Sequence, residues 1–349
     1  MNEVGLLNLR KAIENSGLQN KILIWGASDK SDCILEMIKK WGYDICGFID
    51  SNHDNIKEYK GYKVYGRELL DTDVWFVYVA LKANYEDVIS TFNRLGYQEF
   101  INYWYPRRLV VLDGTENYQD LYGNQLVTYN DKPINVCLRD GGKVIIKSKR
   151  LDNENRIASE GNSYISIGEN VCIKKDSIIS STNGKVEIGA NCKFESNLMI
   201  RVSSGGMVLI NERCTIQRYG VLVASFNAKI VLGSDCMLSY FVLIRAGNSH
   251  NMIDLDTRCH LDDNSLRDVI LGEHVWVGMR VTLINGVRIG SGSTIGANSF
   301  ICKKRFKSNC CVAGNPPKVL REKTAWIRDG VSIKKDMEEY ELYIYDDCD

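Results

Sequence analysis

The sequence predicts two architectures in series. The first is an N-terminal α/β domain with a parallel, Rossmann-like sheet. The second is a parallel β-helix of six-residue repeats with one long protruding loop. Three observations carry this. Residues 21–106 alternate strand-like and helix-like segments. From Val269 to Lys304 two 18-residue units, VILGEHVWVGMRVTLING and VRIGSGSTIGANSFICKK, stand end to end (287 − 269 = 18). The same template then runs backwards through the chain at nearly constant spacing.

In the N-terminal stretch Lys21–Trp25, Asp44–Ile49, Asp73–Leu81 and Glu99–Tyr103 read as strands, with helices over Asp32–Trp41 and from about Asn84 to Leu95. This βαβα order implies a doubly wound parallel sheet, whose strand ends are the place for a ligand. The first turn, Gly26-Ala27-Ser28-Asp29-Lys30-Ser31, has Gly at the first place of a dinucleotide fingerprint but Ser28 and Ser31 at the other two. Serine is small and the helix amides still face a phosphate, whereas Asp29 repels one. Asp50 lies where a ribose-binding acid belongs. Gly26, Ser28 and Asp50 are thus candidate nucleotide contacts, the alternative being a structural or docking domain. The segment preceding Lys21 reads as a helix packed on this domain.

Each C-terminal unit places an aliphatic residue before Gly, as in Leu271–Gly272 and Ile289–Gly290, with aliphatic or small residues every second or third place after it. A 3.6-residue helix is not spaced this way, and a hairpin sheet has no fixed period. Three short strands per coil do have one. Ile188–Gly189, Ile210–Asn211 and Leu232–Gly233 hold the same place, so coils start at Ile165, Val186, Val208, Ile230, Val269 and Val287. The steps are 21, 22, 22, 39 and 18 residues. The step of 39 is one coil with a loop of about twenty residues thrown out within 246–268. A weaker coil starts at Val144. A repeat stack buries its core only between neighbours, and six or seven coils make a domain. The expected divisions are 1–110 for the α/β domain, 111–143 for a connector and cap rich in turn signals, 144–322 for the β-helix and 323–349 for a charged tail. Glu322–Trp326 reads as a helical turn.

Composition narrows the function classes. Lys plus Arg and Asp plus Glu both number 44, which gives no reason to expect nucleic acid or an anionic membrane. No apolar run approaches the roughly 18 residues that span a bilayer, and the N-terminus lacks a signal-peptide pattern. The twelve cysteines include no CxxC pair. Cys192, Cys214 and Cys236 fall 22 apart, one per coil, and are expected to stack as small inward-facing thiols. This is the usage of a reduced, cytoplasmic protein without a structural metal.

The two coils and the following VAGNPPKVLR at 312–321 resemble the end of the hexapeptide-repeat acyltransferases, which are left-handed β-helices. Val275-Trp276-Val277-Gly278, Lys303-Lys304 and Ala313-Gly314-Asn315-Pro316 resemble the bacterial sugar O-acetyltransferases within that group. The resemblance covers roughly 140–322. It implies acetyl-CoA as cosubstrate, a homotrimer, and CoA held between neighbouring subunits. ILIWGAS, CGFIDSN at 46–52 and YKVYG at 62–66 resemble the N-terminal domain of amino-sugar N-acetyltransferases from bacterial sialic-acid and bacillosamine pathways. In that family the domain is implied to hold a nucleotide-sugar.

Acetyl transfer to a hydroxyl needs a base that takes the proton as oxygen attacks the thioester, and His suits this near neutral pH. The four histidines are 53, 250, 260 and 274. His250 sits where the loop leaves its coil, and the resemblance gives it the role of catalytic base. The acidic residue that usually precedes this His is absent, which leaves Asn248 and Asp254 as orienting candidates. His274, two before Trp276, reads as outward-facing, either toward the acceptor or into solvent. Trp276 is too large for the coil interior and is expected to point out. By resemblance Trp276, Gly278, Ala297, Lys303, Lys304 and Arg321 line acetyl-CoA. Trp276 reads equally as an interface aromatic, and Gly278 and Ala297 as coil packing. A His₃ zinc site of the β-helix carbonic anhydrase kind takes its ligands from corners of consecutive coils. Gaps of 10 and 14 do not suit one, so no metal is expected. The resulting expectation is an acetyl-CoA-dependent O-acetyltransferase acting on a surface-polysaccharide sugar of capsule, lipopolysaccharide or sialic acid. The alternatives are N-acetylation of a nucleotide-linked amino sugar and a non-catalytic trimeric scaffold.

Overall fold

The computed structural model describes residues 3–80, 85–105, 109–248, 253–259, 267–328 and 344–345. The chain forms two compact units: residues 1–109 with 120–124 and 139–141, and the remainder from 110 onward. Among the described residues no helix is long and apolar enough to cross a membrane.

The first unit opens with α1 (Glu3–Ser16), whose Leu9, Ala12 and Ile13 are buried. These join Ile22 and Ile24 of β1 (Ile22–Trp25) in one apolar cluster. A single-turn helix at Asp29–Ser31 leads into α2 (Asp32–Lys40), which buries Ile34, Leu35 and Ile38. β2 (Ile45–Ile49), a short hairpin of β3 (Glu58–Tyr59) and β4 (Tyr62–Tyr65), β5 (Phe76–Val79), α3 (Tyr85–Leu95) and β6 (Tyr103–Trp104) follow. The sheet order is β3-β4-β2-β1-β5-β6, parallel except for the β3–β4 hairpin. β1 and β5 are buried along their whole length, as a strand covered on both faces must be. The last expected strand, over 99–103, is reduced to two residues at 103–104.

The second unit is a left-handed β-helix with three parallel faces. Val144, Ile165, Val186, Val208, Ile230, Val269 and Val287 are direct register partners on the first face. The coil starts read from spacing therefore share one inward ladder, Val144 included. The ladder reaches further back, since Gln125–Thr128 pairs in parallel with Lys143–Ile146, and Tyr118–Gln119 caps it antiparallel. Residues 110–119 and 125–138, expected as connector and cap, pack as part of this unit. The second face begins at Arg150–Leu151 and ends at Lys318–Arg321, which turns back antiparallel on Cys311–Ala313. The third face runs from Asn135–Arg139 to Phe300–Cys302.

Corners are made by residues in left-handed backbone. Between the first and second faces Asn170, Asn191, Arg213, Asp235, His274 and Asn309 repeat with φ between 52° and 61°. Asn and Asp tolerate this region better than other side chains, which makes His274 an unusual occupant. Cys192, Cys214 and Cys236 are fully buried, in the row continued by Val275 and Ser293. Their thiols donate to the carbonyls of Asn211, Gly233 and Gly272 at 3.1–3.2 Å. Burial pushes the Cys236 thiol well above its ordinary range. The eleven cysteines among the described residues are free thiols.

Candidate active site

The long loop leaves the third face after Leu243–Ala246, and the chain rejoins the first face at Val269–Leu271. Its root is fixed by Asn285, which is 7% exposed, from the next coil. The Asn285 side-chain oxygen accepts the Gly247 amide at 2.8 Å, and its nitrogen donates to Asn248 Oδ1 at 2.6 Å. Gly247 has no room for a side chain: a Cβ there would lie 2.2 Å from the Ser225 carbonyl oxygen. Asn248 is thus tied to the coil stack, two residues before His250. His250 and His260 lie outside the described residues. Asp254 lies in the loop but turns its carboxylate on its own turn, accepting the amides of Asp256 and Thr257 at 3.0 and 2.7 Å. The Thr257 amide is the main reason its carboxyl stays below the usual range.

Around the last coils the first face is basic. Arg288 and Arg305 are register partners, both exposed. With Lys307, Ile270 and Gly272 they line a groove of about 560 Å³. Lys303 and Lys304 stand at the corner on one side of it, and Arg321 next to the corner on the other. The three cations singled out from the sequence therefore flank this groove, while Arg288, Arg305 and Lys307, which line it, were missed. The signal was present in VRI: the middle residue of a three-residue coil strand points out.

Trp276 does point out of the prism, at 36% exposure, with its ring N–H on Ser239 Oγ at 3.2 Å. It stands on the second face, opposite the corner from which the loop leaves, so a single chain does not bring Trp276 and the loop root together. Gly278 is small for a packing reason, since a Cβ would lie 2.7 Å from the Ala297 nitrogen and the Ile295 oxygen. Ala297 is exposed at the corner beyond.

His274 departs from the expectation of an open imidazole. It points away from the prism but is only 2% exposed, because Trp326 lies flat on it with ring centroids 4.0 Å apart. Nδ1 meets Asp235 Oδ2 at 2.6 Å and Nε2 meets the Trp326 carbonyl at 2.9 Å. Both ring nitrogens thus lie within hydrogen-bond distance of an oxygen. Arg328 then reaches Asp235 Oδ1 at 2.8 Å and Thr215 Oγ1 at 2.9 Å. Residues 322–326 are not helical. They run as a strap back along the corner, where His274 pairs with Trp326 and Asp235 with Arg328.

In the first unit the turn after β1 is occupied by its own chain. Asp50 Oδ2 accepts the Ala27 amide at 3.0 Å, and Oδ1 accepts that of Asn52 at 2.9 Å. Gly26 is in left-handed backbone, and Ser28 is extended. At the start of α2 Asp32 accepts from Tyr59 at 2.8 Å and pairs with Lys60 at 3.1 Å, and both hold its carboxyl low. Burial, with the Asp32 contact, pushes the Tyr59 hydroxyl up to about 12. Gly26, Ser28 and Asp50 do converge, but the amide and helix start that would face a phosphate already face carboxylates. Among the described residues no group of three or more His, Cys, Asp or Glu is placed to hold a metal.

Residues 268–303 match the bacterial transferase hexapeptide family (six repeats), and residues 18–100 match the C2185-like N-terminal family. A polysialic acid O-acetyltransferase of Escherichia coli O1:K1 / APEC is 32% identical over 143 residues, which is 41% of this chain and 45% of that protein. This chain thus spans less than half of that relative's length. One from Neisseria meningitidis is 29% identical over 170 residues, 43% of this chain and 78% of that protein. Among solved structures, the polysialic acid O-acetyltransferase OatWY superposes with a TM-score of 0.50 at 26% identity, covering 56% of this chain and 92% of that one.

Proposed function

We propose that this chain, which is similar over its hexapeptide repeats to the polysialic acid O-acetyltransferases, moves an acetyl group from acetyl-CoA to a hydroxyl of a surface-glycan sugar. His250 is the base. Its imidazole takes the hydroxyl proton as the oxygen attacks the thioester carbonyl, and returns a proton to the departing CoA sulfur. No covalent enzyme intermediate forms. Arg288, Arg305, Lys303, Lys304 and Arg321 supply the cations that CoA phosphates require. The observation that carries this reading is the loop root, pinned by Asn285 just before His250 and next to that basic face. Trp276 stands on a different face from the loop root of its own chain. A site that uses both takes the loop from one copy and Trp276 from another, as a homotrimer provides. A donor made in the cytoplasm puts the enzyme there.

His250→Ala tests the assignment. Turnover is expected to fall by ~10²–10⁴ while acetyl-CoA still binds and the oligomer persists in light scattering. Wild-type turnover is expected to fall below about pH 6.5, where an ordinary imidazole is protonated. Near-normal turnover of the variant would move the base elsewhere. Alkaline hydroxylamine cleaves an ester product and spares an amide, so a resistant product would favour amino-sugar N-acetylation instead.

A further inference from the structure

The strap that follows Arg321 has no part in the transfer chemistry above. It descends the corner between the first and second faces. Thr324 and Asn309 exchange two bonds: the Thr324 amide donates to the Asn309 carbonyl at 2.9 Å, and Asn309 Nδ2 donates to the Thr324 carbonyl at 3.2 Å. Trp326 and His274 are joined twice as well. Trp326 Nε1 donates to the His274 carbonyl at 2.7 Å, and His274 Nε2 lies 2.9 Å from the Trp326 carbonyl. Arg328 donates to the Asp235 carbonyl and carboxylate at 2.9 and 2.8 Å, and to Thr215 Oγ1 at 2.9 Å. Alternate strap residues thus grip the corners at Asn309, His274 and Asp235 in turn.

The stack by itself does not call for this cover. The same corner lies exposed at Asn170, Asn191 and Arg213. It is half-buried at Asp235 and closed at His274, in the two coils that carry Met237 and Trp276 as register partners on the second face. Trp276 stands two residues past His274. Its register neighbours Met237 and Thr294 are flexible and small, and an exposed side chain on such a face changes rotamer in nanoseconds or less. Two other contacts hold it. Its ring N–H lies on Ser239 Oγ at 3.2 Å, and its ring meets Trp326, with centroids 6.1 Å apart and planes inclined by 48°. Trp326 cannot give way, because it is 6% exposed and stacked flat on His274.

We propose that Trp326 is a positioning residue: held by the strap, it fixes the Trp276 indole in one orientation before acetyl-CoA arrives. Trp326 itself touches no substrate and acts through Trp276. A wall ordered in advance removes the cost of ordering it at the moment of binding. This goes beyond the acetyltransferase reading and rests on it only for what Trp276 faces. The orientation of the indole pair is measurable without catalysis.

The test is a double-mutant cycle on the full chain, read as Kd and KM for acetyl-CoA and as kcat. Trp326→Leu is expected to raise Kd and KM roughly two- to tenfold, the cost of ordering one side chain on binding, with kcat nearly unchanged. Trp326→Phe keeps a flat ring on His274 and is expected to restore most of the affinity. In a Trp276→Leu chain, adding Trp326→Leu is expected to change nothing further, because residues that act through one another are non-additive. Losses that add in the cycle would overturn the proposal, since a strap that serves stability alone acts independently of Trp276. Wild-type affinity in Trp326→Leu would overturn it too. A second measurement stands even where Trp326→Leu fails to fold. Two indoles at a fixed mutual angle give an exciton couplet in far-ultraviolet circular dichroism. The couplet is expected in the wild type and is lost in Trp276→Phe and in Trp326→Phe, with the oligomer intact in light scattering. A wild type without it would overturn the proposal. A non-additive cycle in Kd, in a chain that transfers no acetyl group, would keep the positioning role and remove the enzyme reading. Acetyl transfer with additive losses would do the reverse.

Discussion

Two turns in this chain use one device to opposite ends. After β1, Asp50 at the end of the neighbouring strand accepts the Ala27 amide at 3.0 Å. After Leu243–Ala246, Asn285 at the end of the neighbouring strand accepts the Gly247 amide at 2.8 Å. In both cases a side-chain oxygen satisfies an amide that strand pairing leaves over. A carboxylate only accepts, so the second oxygen of Asp50 takes another amide, that of Asn52, and the turn closes on itself. A carboxamide also donates, so Asn285 goes on to hold Asn248 and fixes two successive residues of an outgoing loop. Which acid or amide stands at a strand end thus separates a sealed turn from an anchored exit.

The comparison is tested most severely at Asn285. Asn285→Ala is expected to lower kcat by up to ~10²-fold, the scale at which a misplaced catalytic group costs rate, with KM for acetyl-CoA little changed. Asn285→Asp retains an acceptor for Gly247 but offers no donor to Asn248, and is expected to fall between. Wild-type kcat in both would mean that the loop positions itself without its root.

A second contrast lies within the solenoid, between a corner held by a side chain and one held by backbone alone. His274→Ala removes two hydrogen bonds and the surface on which Trp326 stacks. It is expected to cost about 1–3 kcal/mol in denaturant unfolding and to expose 318–328 to protease. An unchanged midpoint with an intact strap would show that Arg328 and Asp235 suffice.

The smallest effect is expected at the sealed turn. Asp50→Ala is expected to cost about 1 kcal/mol, with no melting shift from a uridine-diphosphate sugar in variant or wild type. A shift in the wild type would make the first unit a nucleotide-sugar site after all. One confined to the variant would make Asp50 the plug of such a site.

Much of the fold was legible because each coil states its own rule. Val186, Val208 and Ile230 face a narrow interior lined mostly by aliphatic side chains, so their spacing betrays the stack one coil at a time. The α/β alternation was equally local. The site was legible only where it was tied to a local anomaly: the step of 39 marked the loop, and Trp276 marked an outward place by its size. His274 was placed on the right side of the prism and misjudged in exposure, because its cover arrives 52 residues later as Trp326. Nothing in the spacing of Gly26, Ser28 and Asp50 shows that the Asp50 carboxylate occupies the Ala27 amide.

The sequence by itself determined the repeat, the coil starts, the inward cysteine row and the exit of the loop, since inward positions obey a volume limit that every coil repeats. Only the tertiary structure decided what the outward residues do. Arg201 and Arg245 form one row, Arg288 and Arg305 another, and Asp235 sits beside His274 through stacking of coils 17 to 44 residues apart. Outward positions obey no volume limit, so their meaning depends on which neighbour the stacking delivers, and a corner loop or a returning strap changes that neighbour without leaving a mark on the repeat.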